Sequence, residues 1–270
     1  MPNDISIDES YDDYPRIEDA FQRRLDESLQ PRGPESLWEL FATLAPTPGA
    51  SIVDVGCGEG GDTIELARRF DLTVIGVDPV QRHVDLGRER AHEAGVGDHV
   101  TFELGTAERL SLDDGAADLI WSKEALMYAD LNAAFNEFRR VLRPGGRGLV
   151  YQVFTGANMT DAEAEEFWRS GGTAKSVRPD DMEHAINAAR LSVTDRVDFG
   201  SEWGEAGQER SGTPGRRLLH AARLLRAPGR YIDEFGDTAY RIMMSDCLWH
   251  IYRMIGKLHG AAFLFRAPTE

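Results

Sequence analysis

The 270 residues hold 46 acidic against 30 basic side chains, a formal net charge of −16, and that field opposes a phosphate backbone, so nucleic acid is excluded as the expected partner. The length admits one large domain or two small ones, with ample chain for a buried core. Cys57 and Cys247 make neither a disulfide framework nor a multi-cysteine metal site, and no apolar run approaches the ~20 residues of a membrane span, so the expectation is a cytoplasmic protein with no metal and no membrane partner.

Residues 1 to about 15 carry Asp4, Asp8, Glu9, Asp12 and Asp13 with little apolar content and read as a mobile acidic tail, with Tyr11 and Tyr14 available to fold over a ligand. Phe21, Leu25 and Leu29 recur at helical spacing and predict a helix over 17–29, stopped by Pro31-Arg32-Gly33-Pro34. A second helix carries Leu37, Trp38, Leu40, Phe41 and Leu44 and stops at Pro46-Thr47-Pro48-Gly49. Residues 1–48 are thus a tail and cap helices ahead of a domain over 49–270.

From there strands and helices alternate. Strands are predicted at 51–55, 72–77, 100–104, 117–121, 148–154 and 191–199, and helices at 60–70, 80–94, 130–142, 161–170 and 179–190. The alternation implies a parallel sheet covered on both faces. Over 200–257 the strand signal disappears, and two helical tracts around Pro228-Gly229 predict an inserted lid; the basic stretch Arg216 to Arg230, interleaved with Leu and Ala, reads as a solvated helix face. The chain returns with an apolar strand at 261–265, placed to pair antiparallel beside the sixth. The expected fold is α/β: a Rossmann-like, seven-stranded, mostly parallel sheet with its last strand antiparallel, helices on both faces, N-terminal helices and a helical lid.

The stretch Val53 to Gly61 turns a β-branched run into a glycine-rich bend and then a helix. Gly56, Gly58 and Gly61 satisfy Gly-x-Gly-x-x-Gly, which allows a tight turn and brings bare backbone to a ligand. Asp54 and Glu59 would face a pyrophosphate with negative charge, so the loop favours a cationic ligand over a dinucleotide. In an open α/β sheet the ligand lies outside the carboxyl ends of the strands, near the topological switch point. That rule selects the loop, Asp78, the turn from Gly105 to Glu108, and Trp121 to Tyr128. Asp78 suits the two hydroxyls of a ribose; its alternative role is to cap the following helix, with Pro79 at the first helical position.

The ordered motifs Val-Asp-Val-Gly-Cys-Gly at 53–58, Gly-Val-Asp-Pro at 76–79, Gly-Thr-Ala-Glu at 105–108, Asp-Leu-Ile-Trp-Ser at 118–122 and Arg-Val-Leu-Arg-Pro-Gly-Gly at 140–146 resemble the class I S-adenosylmethionine-dependent methyltransferases, most of all those acting on small molecules. The resemblance is detailed over 51–154 and topological elsewhere. It implies S-adenosyl-L-methionine as cofactor, with Asp54, Gly56, Cys57 and Gly58 framing its methionine end, Asp78 and Pro79 at the ribose, Thr106, Ala107 and Glu108 around the adenine, and Trp121 and Ser122 beside the sulfonium. The family often has Asp after the glycine at 105; Thr106 stands there in this chain, leaving adenine to Glu108 or the backbone.

The resemblance further implies methyl transfer to oxygen or nitrogen, with carbon as a further acceptor, of a small organic molecule. The sulfonium carries an activated methyl, so alignment, exclusion of water and removal of a proton suffice. Glu124, Tyr128 and His250 are the candidate catalytic side chains. Glu124 reads equally as a helix N-terminal carboxylate, Tyr128 as a half-buried aromatic and His250 as an interior histidine. Trp203, Tyr231, Phe235, Tyr240, Met243, Met244, Trp249, Tyr252 and Met254 can line an aromatic or apolar substrate pocket under the N-terminal helices, or simply form the lid's own core. Two alternatives stand beside this: a protein of the same fold that binds the cofactor without methylating, as a cyclase, decarboxylase or regulatory module, and an NAD-dependent oxidoreductase supported by the glycine spacing and Asp78 alone.

Overall fold

The computed structural model describes residues 6–170 and 178–270; Asp4 of the expected tail lies outside them. The chain divides into two units, Met1–Pro31 and Arg32–Glu270. The first consists of helix α1 (Ile7–Leu25), so most of the expected tail is helical. The cause is a capping box: Ser6 Oγ accepts from the Glu9 amide at 3.2 Å while Glu9 Oε2 accepts from the Ser6 amide at 2.9 Å. Acidic composition concealed that start signal, and α1 ends at Leu25 rather than continuing to residue 29. None of its residues is buried.

In the second unit α2 (Glu35–Ala42) precedes a seven-stranded sheet in the order β3-β2-β1-β4-β5-β7-β6. The strands are β1 (Ser51–Val55), β2 (Thr73–Asp78), β3 (Val100–Leu104), β4 (Ala117–Lys123), β5 (Leu142–Thr155), β6 (Ser192–Gly200) and β7 (Leu258–Arg266). β1 pairs parallel with both β2 and β4. β7 runs antiparallel and pairs with β6, as the sequence suggests, but it also pairs with β5 and therefore lies inside the sheet. Arg143-Pro144-Gly145-Gly146 is drawn into the head of β5, where Leu142 pairs with Ala117 and pairing resumes only at Arg147.

The connecting helices are α3 (Gly61–Phe70), α4 (Gln81–Glu93), α5 (Leu131–Val141), α6 (Asp161–Ser170) and α7 (Pro179–Ala188). Successive side chains of a strand point to opposite faces, and β4 feeds two separate cores in this way. Leu119 and Trp121 pack with Phe41 and Tyr151; Ile120 packs with Phe135, Phe138 and Phe263. Trp121 is stacked on Trp38 with ring centroids 4.9 Å apart and meets Phe41 edge-on at 5.5 Å.

The insertion holds four helices rather than two tracts: α8 (Glu202–Ser211), α9 (Thr213–Arg226), α10 (Pro228–Phe235) and α11 (Asp237–Met254). Gly212 and Gly236, at φ 66° and 85°, supply two of the breaks, and Pro214 and Pro228 suit the first turns that follow. Among the described residues no helix is long and apolar enough to cross a membrane.

One aromatic ring sets the spacing of three elements. A Cβ added at Gly60, Gly76 or Gly87 would lie 2.6, 2.9 or 2.6 Å from the buried ring of Phe102. Gly87 sits inside α4, where Ala is ordinarily favoured by ~0.5–1 kcal/mol. Overpacking opposes that gain, so Gly87→Ala is expected to destabilise the protein by about 1–3 kcal/mol in urea denaturation. Adding Phe102→Leu should make the double variant less destabilised than the sum of the two single changes.

Candidate functional site

Chain leaves β1 toward β2 on one side and returns through β4 on the other, so a crevice opens where the loops diverge. A cavity of about 660 Å³ fills it, lined by Gly56, Asp78, Gly105, Ala107, Glu124 and Tyr128 among others. The loop is held shut from beneath: the Gly56 and Cys57 amides both donate to the Val77 carbonyl, at 2.8 and 3.1 Å. Gly56 has φ 76°, and a Cβ there would lie 2.1 Å from the Ala125 Cβ. Glycine is therefore required where the β1 loop meets the end of β4.

Asp78 is buried at the end of β2. Its Oδ2 accepts from the Gly58 amide at 2.9 Å, and its Oδ1 accepts from the Val80 amide at 2.9 Å and faces His83 Nδ1 at 3.0 Å. The side chain thus caps the approach to α4 and ties it to the glycine loop, while still lining the crevice with Pro79 and His83. A carboxylate has about four lone-pair positions, so capacity remains for a ligand hydroxyl. Thr106 and Ala107 line the crevice too, Thr106 within a tight bridge to Arg109. Glu108 also lines it, and its Oε1 accepts from the Asp130 amide at 2.9 Å at the start of α5.

Several expected site residues lie elsewhere. Glu59 is paired with Arg90 at 2.5 Å and Arg82 at 3.6 Å, so its charge is directed at α4. Asp54 lies under the loop, 2% exposed, accepting from Thr63 Oγ1 at 2.7 Å. Burial first, and the neighbouring Asp62 second, push its carboxyl up to about 7. Cys57 is buried and its thiol is raised by the same desolvation, which leaves it a packing residue. Trp121 and Ser122 are fully buried and line no part of the crevice: Trp121 Nε1 donates to Asp62 Oδ2 at 3.3 Å, and Ser122 Oγ to the Val55 carbonyl at 2.9 Å. The pleat of β4 turns the indole into the opposite core, and the crevice is reached by residues beyond the strand: Glu124, Ala125, Tyr128 and Ala129.

Glu124 takes φ 56°, a left-handed conformation uncommon for a side chain of this size. Its amide donates to the Tyr151 carbonyl at 2.8 Å, and its Oε1 accepts from Arg253 Nη1 at 3.1 Å. Arg253 also donates to the Tyr151 hydroxyl at 2.8 Å and lies over the rings of Trp203 and Trp249, 5.2 and 5.8 Å from their centroids. Burial holds the Tyr151 phenol protonated. α11 is thereby pinned to the end of β4 through one guanidinium. Sequence reasoning missed Arg253 and Tyr151, as it missed His83 and Asp62; none belongs to a local motif.

Glu124 and Tyr128 also line a second cavity of about 300 Å³, completed by Met127, by Phe167 and Trp168 of α6 and by Ser245, Asp246 and Trp249 of α11. Tyr128 is largely exposed, and its phenol is raised, first by desolvation and then by Glu124, so near neutrality it donates rather than accepts a proton. Of the lid aromatics and methionines named from sequence, Trp249 alone lines this cavity; Tyr231, Phe235, Tyr240 and Met243 line a separate one of about 380 Å³ within the lid. His250 lies along α11 with its Nε2 4.0 Å from Asp246 Oδ1 and lines neither the crevice nor the cavity. Burial lowers its pKa from the usual histidine value. Among the described residues no cluster of three His, Cys, Asp or Glu side chains is placed to hold a metal.

A family model described as a methyltransferase domain matches residues 52–146. The chain is 29% identical over 168 residues to methyltransferase GfsG of Streptomyces halstedii, covering 61% of this chain and 60% of that protein, less than two thirds of its length. It is 30% identical over 190 residues to 27-O-demethylrifamycin SV methyltransferase of Amycolatopsis mediterranei, covering 67% and 70%. The fold matches that of the geranyl diphosphate C-methyltransferase from Streptomyces coelicolor A3(2), solved with Mg2+, geranyl diphosphate and S-adenosyl-L-homocysteine. The TM-score is 0.62, at 21% identity over 86% of this chain and 79% of that one.

The raised Asp54 carboxyl has a consequence for stability. Between its unfolded value near 3.8 and its folded value of about 7 the native state binds the extra proton, so stability falls as pH rises through that window. Asp54→Asn is expected to flatten this part of the profile of unfolding free energy against pH, measured by urea denaturation at pH values spanning the window. An unchanged slope would remove Asp54 as its source.

Proposed function

The chain belongs to the class I S-adenosylmethionine-dependent methyltransferases, a family whose methyl donor is S-adenosylmethionine, and on that footing we propose that it methylates oxygen or nitrogen of a small organic acceptor held beside Glu124. The observation that carries the proposal is the continuity of the site: the crevice at the switch point and the aromatic cavity under α11 share Glu124 and Tyr128.

The crevice suits the donor. Bare backbone at Gly56 and Gly105 gives close approach, Val77, Val80, Ala107 and Ala129 offer apolar walls for a base, and Asp78 stands where a ribose would need an acceptor. In this reading Gly56 and Gly58 frame the methionine end, with Asp54 and Cys57 supporting the loop from below; Asp78 and Pro79 hold the ribose, and Thr106, Ala107 and Glu108 border the adenine. When bound, the donor supplies a methyl already activated by its sulfonium charge. The chain's own contribution is alignment, exclusion of water and proton management.

Glu124 is the proposed proton acceptor. Its backbone is held by Tyr151 and one carboxylate oxygen by Arg253, so the side chain is oriented before an acceptor arrives. Tyr128 is the proposed hydrogen-bond donor at the mouth. The walls contributed by Phe167, Trp168 and Trp249 support an acceptor with an aromatic or apolar body.

Asp78→Ala removes a partner from Gly58 and Val80 as well as the proposed ribose acceptor, and S-adenosylhomocysteine affinity is expected to fall by at least about tenfold in calorimetry, the order of a lost charged hydrogen bond. Undiminished affinity would contradict the ribose assignment. Glu124→Gln should lower kcat by about 10²-fold or more while leaving S-adenosylhomocysteine binding intact, followed as isotope-labelled methyl entering product. A variant of full activity would return Glu124 to a structural part, and cofactor turnover with no methylated product would favour a non-methylating relative of the fold.

A further inference from the structure

We propose that the acceptor is a small organic amine, bound as its ammonium form in the cavity between Glu124 and α11; this rests on the methyl-transfer reading and narrows it to nitrogen. The charged side chains lining the cavity are both acidic, Glu124 and Asp246, and among the described residues no lysine or arginine lines it. An anionic acceptor would meet two carboxylates, whose arginine partners Arg253 and Arg217 lie outside the lining.

Each carboxylate has one arginine partner, and neither has both oxygens hydrogen-bonded. Arg253 engages Glu124 Oε1 at 3.1 Å, and among the described residues Oε2 has no hydrogen-bond partner. Arg217 Nη1 approaches Asp246 Oδ2 to 2.9 Å without the alignment of a hydrogen bond, and that buried oxygen accepts none. The remaining walls form a ring-lined corner. Phe167 and Trp168 meet at 70° with centroids 5.1 Å apart, and Trp168 and Trp249 meet at 84° across 6.1 Å. Three neighbouring rings supply the aromatic lining that favours a cation, and carboxylates beside them add charge complementarity. Trp249 already hosts one cation, the Arg253 guanidinium. A neutral acceptor would find the rings equally apolar but would leave Glu124 Oε2 without a partner. At about 300 Å³ the cavity is small for a ligand site, which limits the acceptor to a compact molecule.

Transfer then balances simply. The ammonium gives one proton to Glu124, the freed lone pair forms the new N–C bond, and the donor's S–C bond breaks with its electron pair retained by sulfur; the product leaves as the methylated ammonium. Glu124 returns its proton to solvent at the exposed mouth beside Tyr128.

The test is binding, followed by tryptophan fluorescence and calorimetry on the full chain saturated with S-adenosylhomocysteine. The probes are choline and its uncharged isostere, in which a quaternary carbon replaces nitrogen. Choline is expected to bind at least about tenfold more tightly than the isostere, and Asp246→Asn to reduce that preference with S-adenosylhomocysteine affinity unchanged. Should Asp246→Asn fail to fold, the wild-type preference decides alone. Equal affinity for the two probes, or no choline binding by the cofactor-loaded protein, overturns the proposal. With labelled S-adenosylmethionine and a panel of small amines, phenols and alcohols, methyl on amines supports it. Methyl on phenols or alcohols only overturns the amine assignment and leaves methyl transfer standing, whereas choline preference with no transfer to any acceptor keeps the cationic site and removes the methyl-transfer reading.

Discussion

The site depends on one strand being shared. β1 is bonded in parallel register to β2 on one side and to β4 on the other, so the loops leaving β1 and β4 must part above the sheet and leave a crevice. Gly56 and Ala125 then come so close across the crevice floor that a side chain on the first would collide with the second. That contact places the backbone following β4 beside the glycine loop, and it is there that Glu124 adopts its left-handed conformation. Strain of this kind, of order 1–3 kcal/mol, persists only where surrounding structure holds it. Here the Tyr151 carbonyl and Arg253 do so.

Charge around the crevice is organised by pairing rather than by composition. The protein is strongly acidic overall, yet nearly every carboxylate near the loop has a local partner: Glu59 with the arginines of α4, Asp62 with Lys123 at 2.6 Å, Asp78 with backbone amides and His83. Asp54 is the exception in kind, buried deeply enough for its proton to compete with its charge. With Glu59 turned away, Asp62 paired and Asp54 buried beneath, Asp78 is the one of these four carboxylates that lines the crevice.

The lid joins the sheet through side chains that have no motif. Arg253 connects α11 to β4 and β5 and is bracketed by Trp203 and Trp249, while Tyr151 stacks on Trp203 at 4.1 Å. Gly260 of β7 permits this, since a Cβ there would fall 2.1 Å from the Tyr151 hydroxyl. The β7 strand thus serves two ends: it completes the sheet between β5 and β6, and it leaves room for the phenol that receives Arg253. The methyltransferase fold is held in common with proteins of different chemistry, and in this chain the cavity beside Glu124 takes Glu124, Met127 and Tyr128 from the segment matched by the family model and its remaining walls from α6 and α11, outside that segment.

Sequence alone determined the alternation of strands and helices, the glycine loop, Asp78 at the end of β2 and the family, because each is written in neighbouring residues: periodicity, turn chemistry and short ordered motifs act within one element. It also located α6 at Asp161–Ser170 without assigning it to a site. It did not show the cap of α1, since a polar cap looks like a polar tail, nor that the pleat of β4 carries the Trp121 indole into the core beside Trp38 and Phe41. Only tertiary structure decided that β7 enters the sheet, that Glu59 turns to α4, and that Glu124, held by Arg253, meets Asp246 and Trp168 around one cavity. Those residues lie on elements far apart in the chain, and nothing short of the packing of α6 and α11 against the sheet brings them within contact.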